Sequence, residues 1–196
     1  MNICVYGAAS NIIHNKYISV GEELGKKIAK RGHSLVFGAG SSGMMGAAAR
    51  GVYSCGGKIT GILPDFLNVD GVQFKHCDKV IRTESMRERK RLLFEKSDGF
   101  IITPGGIGTL DEFFEILTLR QLGRHNKPIA FLNVAGYYDD LLKMLWHMVD
   151  ENFMFDESMK LFEIFNTSDA ALDYLESYHG ETIDVKHMKS LNFDED

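Results

Sequence analysis

The chain has 196 residues, 44% of them hydrophobic and 25% charged, with a formal net charge of −5 at pH 7. That length suits one domain with its own core, and the acidic balance argues against a general nucleic-acid binder, which is basic as a rule. The three cysteines, Cys4, Cys55 and Cys77, show no CxxC spacing. They fit a reducing cytoplasm better than a disulfide framework or a zinc site. No apolar run approaches the roughly 20 residues of a membrane span. The first residues open directly as a strand, so a cytoplasmic protein is expected.

Ile3–Tyr6 reads as a short buried strand, followed by the loop Gly7-Ala8-Ala9-Ser10-Asn11. Tyr17, Val20, Leu24 and Ile28 recur at helical spacing, and Gly32 stops that helix. Leu35–Phe37 forms the next strand, and the glycine loop Gly38–Gly43 leads into a helix of small residues, Met44–Ala49. Ile59–Leu63 is a third strand. Residues 64–78 read as a loop with a short turn or helix, and 79–82 as a short strand. A helix over 84–96 is capped by Thr83 or Ser85. Phe100–Thr103 is a strand, the run Phe113–Leu122 is amphipathic, and Gly123 closes the following turn. Pro128–Asn133 makes another strand, a helix covers 138–149, and Phe162–Phe165 is the last strand. Ser168 caps a helix to about Tyr178. Short apolar strands alternating with helices predict a single α/β domain, a doubly wound and mainly parallel sheet with helices on both faces. We place that domain at residues 1–180 and a C-terminal tail, frayed at its acidic end, at 181–196.

The segment Pro104-Gly105-Gly106-Ile107-Gly108-Thr109-Leu110-Asp111-Glu112 stands between a strand and a helix. Its glycines leave backbone N–H groups uncovered where a helix N-terminus favours an anion. Glu112 has two readings. Thr109 and Glu112 have the spacing of a capping box, and Glu112 beside a phosphate cradle also suits catalysis. Gly38-x-Gly40-x-x-Gly43 matches the dinucleotide fingerprint, with Asp65 as a ribose-binding acid, or else is a tight strand-to-helix turn. In Met86-Arg87-Glu88-Arg89-Lys90-Arg91, helical spacing groups Met86, Arg89, Lys90 and Leu93 on one side, with Arg87, Glu88 and Arg91 toward water. This densest positive run is either a solvated basic face or a partner for a phosphorylated ligand. Thr118 reads as a threonine on a buried helix face. The seven histidines form no HxxxH or HExxH array, so no metal site is expected.

These segments resemble the Lonely Guy (LOG) family. The 104–112 segment is similar to its PGGxGTxxE motif, Met86–Lys90 to its MHxRK motif at the same distance upstream, and Gly38–Gly46 to its GGGxxGLMG loop. The resemblance extends through Gln121-Leu122-Gly123, His125–Pro128 and Gly136-Tyr137-Tyr138-Asp139, covering about residues 3–165. It implies a Rossmann-like homodimer or larger assembly that hydrolyses the N-glycosidic bond of nucleoside 5′-monophosphates, cytokinin ribotides or AMP, without cofactor or metal, and a homodimer is expected here. By resemblance Arg89 and Glu112 are catalytic, and Met86, Lys90, Gly105, Gly106, Ile107, Gly108, Thr109 and Thr118 bind the nucleotide. Such proteins are also labelled lysine decarboxylases, but no pyridoxal-phosphate lysine motif is present. The chain departs from the family at Arg87, usually histidine, at Ala39, usually glycine, and at Gly7-Ala8-Ala9-Ser10 in place of a Gly-Ser-Ser loop. The alternative is a nucleotide-binding or sensing protein without chemistry. A cofactor-binding Rossmann module, resting on Gly38–Gly43 and Asp65, is a third reading.

Overall fold

The structure is a computed structural model that describes residues 1–67 and 69–180. The expected C-terminal tail lies outside the described residues. Seven strands form one sheet in the order β4-β3-β2-β1-β5-β6-β7, and every neighbouring pair is parallel. The strands are β1 Asn2–Tyr6, β2 Ser34–Phe37, β3 Ile59–Pro64, β4 Lys79–Thr83, β5 Gly99–Ile102, β6 Ile129–Leu132 and β7 Glu163–Phe165. The helices between and after them are α1 Asn15–Lys30, α2 Gly43–Ser54, α3 Met86–Glu95, α4 Ile107–Gln121, α5 Asp139–Asp150 and α6 Ser168–Ser177.

Alternation along each strand divides the core in two. Ile3 and Val5 of β1 pack with Leu24 and Ile28 of α1, Val52 of α2 and Leu172 of α6. Cys4 and Tyr6 point the other way, onto Leu93 of α3, Phe113 and Ile116 of α4 and Leu145 of α5. Burial on both faces explains why these strands read as continuous apolar runs. Helices α1 and α2 approach closely because glycines face each other's backbone: a Cβ on Gly25 would fall 2.0 Å from the Ala48 carbonyl oxygen.

The sheet order runs outward in both directions from the β1–β5 pair. The helix after β1 and the helix after β5 therefore lie on opposite faces, and a crevice opens at the carboxyl ends of these two strands. That switch point is where open α/β sheets hold their ligands.

Local details refine the expected boundaries. Helix α1 starts at Asn15 because the His14 Nδ1 accepts from the Lys16 N–H at 3.1 Å. Ser85, rather than Thr83, caps α3: its Oγ accepts from the Glu88 N–H, and the Glu88 carboxylate accepts in turn from the Glu84 N–H. Thr83 ends β4, and its buried Oγ1 has no partner among the described residues. The irregular stretch after β3 starts with a short 3-10 turn, Asp65–Leu67. It then returns to the second glycine loop, where Ser41 N–H donates to Val72 O and Phe74 N–H to Ala39 O, both at 2.8 Å.

Candidate active site

Three loops meet at the crevice, those following β1, β2 and β5. Ala8 N–H donates to Pro104 O at 3.0 Å, and Met45 N–H to Ala8 O at 3.3 Å, so the β1 loop is tied to both others. Gly43 sits at φ +62, and a Cβ there would meet Ala8 O at 2.3 Å. Only glycine fits both the left-handed backbone and the close approach. Gly105 N–H is turned to the Tyr138 hydroxyl, whereas no hydrogen bond is seen from the backbone N–H groups of Gly106 to Thr109 to another described residue, and the first bond of α4 runs from Leu110 N–H to Gly106 O. A row of free donors at a helix N-terminus is an anion cradle. A Cβ on Gly105 would fall 2.1 Å from Thr109 Oγ1, which explains the glycine at that position.

Beside the cradle lies a cavity of about 480 Å³, of a size usual for small-molecule sites. Its glycine side is formed by the three loops, and its other wall is apolar, from Met45, Leu63, Leu67 and Val72. Arg89 and Glu112 line it and face each other: Arg89 Nη1 donates to Glu112 Oε1 at 3.0 Å, while Arg89 Nε donates to Ile62 O at 3.3 Å. Both residues are 7% exposed. Gly38 leaves room for the guanidinium, since a Cβ there would lie 1.9 Å from Arg89 Nη2.

Burial pushes the Glu112 carboxyl up to about 7, and the nearby Arg89 offsets that only in part. The capping-box reading fails. The N-cap of α4 is Gly106, without a side-chain cap, so Thr109 lies inside the first turn and Glu112 beyond it. Glu112 is free of that duty and turned to Arg89.

The residues singled out in the sequence separate into two groups. Arg89, Gly106, Gly108, Thr109 and Glu112 line the cavity together with Gly38 and Gly40, and Gly105 lines an adjoining cleft. Met86, Lys90, Ile107 and Thr118 do not line it. Met86 is exposed rather than inward, and Ile107 is 88% exposed. Lys90 Nζ reaches outside the cavity to Glu115 Oε2 at 2.6 Å and Asp111 Oδ1 at 3.0 Å. Thr118 is exposed, not on a buried face, because the inward positions of α4 are taken by Phe113, Ile116, Leu117 and Arg120. Asp65 is exposed and does not line the cavity, so the fingerprint's ribose acid is not assembled there.

Two of the three departures from the family motif are also off the cavity. Ala39 holds a left-handed φ of +61, and its methyl packs toward Gly61 of β3. Arg87 is exposed on α3, in a separate cleft with Ser85, Glu88, Arg91 and Glu115. The third, Gly7–Ser10, does line the cavity and was missing from the predicted site residues. Its place directly after a central strand was the available signal. The apolar wall was also missed, because Leu67 and Val72 come from the irregular stretch. No group of three or more His, Cys, Asp or Glu side chains suited to a metal occurs among the described residues.

Sheet topology, anion cradle and a buried arginine–glutamate pair define a doubly wound α/β protein with a small-molecule site for a phosphorylated ligand. Comparison with known proteins makes the assignment narrower. Residues 45–175 match the family described as "Possible lysine decarboxylase". The chain is 35% identical over 175 residues to the "Probable cytokinin riboside 5'-monophosphate phosphoribohydrolase LOGL3" of Oryza sativa subsp. japonica, spanning 89% of this chain and 83% of that protein. It is 37% identical over 169 residues to the "Cytokinin riboside 5'-monophosphate phosphoribohydrolase" of Mycobacterium tuberculosis, spanning 86% and 90% of the two chains. The chain belongs to the Lonely Guy family. The fold is shared with the molybdenum cofactor binding protein of Rippkaea orientalis, with a TM-score of 0.70, 24% identity and coverage of 90% of this chain and 95% of that one. At that identity the likeness concerns the fold alone.

Proposed function

We propose that the chain is a nucleoside 5′-monophosphate phosphoribohydrolase: water adds to C1′, the N-glycosidic bond breaks, and free base and ribose 5-phosphate leave. The single observation that carries this reading is the buried Glu112 facing Arg89 beside an uncovered N–H cradle. The names of the relatives supply the substrate class.

In this reading the 5′-phosphate rests on the Gly106–Thr109 backbone, which fixes the ribose against Glu112. Bond cleavage builds positive charge on the sugar, as in glycosidases. Ionised Glu112 stabilises that charge and takes a proton from the attacking water; a carboxyl poised near 7 suits such a base. Arg89 holds the carboxylate in place and shields the phosphate or the leaving base. Met45, Leu63, Leu67 and Val72 form the wall for the base. A decarboxylase reading has no support in this site, and a purely sensing role leaves the Glu112 poise without use.

We further propose a homodimer. Ile107, Phe114 and Leu122 are exposed apolar residues along one side of α4, with Thr118 between them, and Met86 is exposed on α3. A second copy covering this face gives Met86, Ile107 and Thr118 a role in the assembled site that they lack in one chain. Light scattering of the purified protein tests this: a mass of one chain contradicts it. The activity is tested by incubating the protein with AMP and with N6-isopentenyl AMP and separating the products. Free base with ribose 5-phosphate supports the reading, and bound but intact nucleotide refutes it. No helix among the described residues is long and apolar enough to cross a membrane; we propose a cytoplasmic location.

A further inference from the structure

The carbonyl groups of the glycine segment are held from outside, one after another. Thr103 O accepts from Tyr138 Oη at 2.7 Å, Pro104 O from Ala8 N–H at 3.0 Å, and Gly105 O from Tyr137 Oη at 2.8 Å. No peptide bond here is cis. In a planar trans peptide the C=O of one residue and the N–H of the next point in opposite directions. Fixing Gly105 O on the Tyr137 hydroxyl therefore turns the Gly106 N–H to the other side, while the Gly105 N–H faces the Tyr138 hydroxyl. The Gly106 N–H opens the row of free donors.

The turn that delivers the two tyrosines is built at a cost. After β6, Ala135 takes φ +53 and Gly136 φ +70 in succession. Left-handed alanine is unfavourable by about 1 kcal/mol or more. The conformation is held by Asn133, whose Oδ1 accepts from Tyr138 N–H at 2.8 Å and whose Nδ2 donates to Asp139 Oδ1 at 2.7 Å. A Cβ on Gly136 would lie 2.5 Å from Asp139 Oδ2, so glycine is required there for space as well. Strain of this kind persists where surrounding contacts over-determine it, and it concentrates at functional sites.

We propose that Tyr137 is a positioning residue of the phosphate cradle: its hydroxyl orients the Gly105–Gly106 peptide so that the cradle is formed before the ligand arrives. Tyr138 holds Thr103 O, two residues upstream, from inside the core. Tyr137 is half exposed, and its ring rests edge-on against Tyr17 and Tyr138. Removing its hydroxyl therefore leaves the packing in place and frees the carbonyl. A free carbonyl lets the peptide rotate, and a cradle that must be ordered at binding holds its ligand less tightly.

This inference rests on the phosphate-cradle part of the proposed function but not on its chemistry, so binding and turnover are measured separately. Calorimetry with AMP and with ribose 5-phosphate is compared for the wild-type protein and Tyr137→Phe, alongside thermal unfolding and base release. We expect roughly five- to tenfold weaker binding of both phosphorylated ligands, the loss of one hydrogen bond's worth of order. KM should rise by a similar factor with little change in kcat, binding of adenosine should not change, and the midpoint of unfolding should be nearly that of the wild type. A lower unfolding midpoint with unchanged affinities would show a merely structural tyrosine and overturn the proposal, and so would equal weakening of adenosine and AMP. Should the wild type bind AMP without releasing base, the hydrolase reading fails while the affinity comparison still decides the role of Tyr137. Wild-type protein that binds neither phosphorylated ligand removes the cradle, and the proposal with it.

Discussion

Glu112 meets Arg89 at 3.0 Å across the cavity, α4 facing α3, with the two side chains only 7% and 9% exposed. A carboxylate in that place has lost most of its water and kept one strong partner. Glu112→Gln keeps the shape and an acceptor for Arg89 but cannot take a proton. Base release from AMP should fall by roughly 10²–10⁴-fold, the usual contribution of a general base, with AMP affinity within a few-fold of wild type. A steady-state assay paired with calorimetry checks this, and full activity in the variant removes Glu112 from the chemistry.

Arg89 is expected to matter for folding as well as for turnover. Arg89→Ala leaves Glu112 and the Ile62 carbonyl without their donor in a buried place. Breaking one partner of a buried pair costs about 3–5 kcal/mol. Urea unfolding should show a loss of that size, and the same activity loss as Glu112→Gln. An Arg89→Ala protein as stable as wild type would mean that the pair is open to water in solution.

The pH dependence follows from the raised carboxyl. Turnover should climb with pH and level off above about 7 as Glu112 becomes the base. Stability should move the opposite way. Between the unfolded value of 4.5 and about 7 the folded protein holds a proton that the unfolded chain has released, so this group's contribution falls as pH rises through that window. The full difference is on the order of 3 kcal/mol. Subtracting the unfolding curve of Glu112→Gln isolates it; a difference that is flat from pH 4.5 to 8 contradicts the shift.

Much of the fold was legible in the chain because parallel strands buried on both faces read as unbroken apolar runs between helix patterns. Ile3–Tyr6, Ile59–Leu63 and Phe100–Ile102 are all of this kind. The cradle was legible too, since Gly105, Gly106 and Gly108 after a strand admit few other arrangements. What spacing could not show was which chain neighbours a side chain would choose. Thr109 and Glu112 have capping-box spacing, yet α4 begins two residues before Thr109 and leaves Glu112 to Arg89. Lys90 follows Arg89 directly, but one residue along a helix turns it about 100°, toward Asp111 and Glu115. Leu67, Val72 and the two tyrosines reach the site from irregular segments, where periodicity carries no signal.

Gly38 offers a test of the space around the guanidinium. A methyl there would fall 1.9 Å from Arg89 Nη2, and the arginine would have to move. Gly38→Ala should therefore lower turnover at least about tenfold, since a shift of an ångström in a catalytic group has large effects. Unfolding should change by no more than about 2 kcal/mol, the scale of small overpacking. Unchanged turnover would show that the Arg89 position is not critical.

The most direct measurement of the central claim is the product balance from AMP. Wild-type protein incubated with AMP should yield free adenine and ribose 5-phosphate in equal amounts, with no adenosine, and Glu112→Gln should yield neither above the roughly 10²-fold lower level expected without its base. Adenosine with inorganic phosphate as the products, or AMP bound and recovered intact from the wild type, would contradict the account.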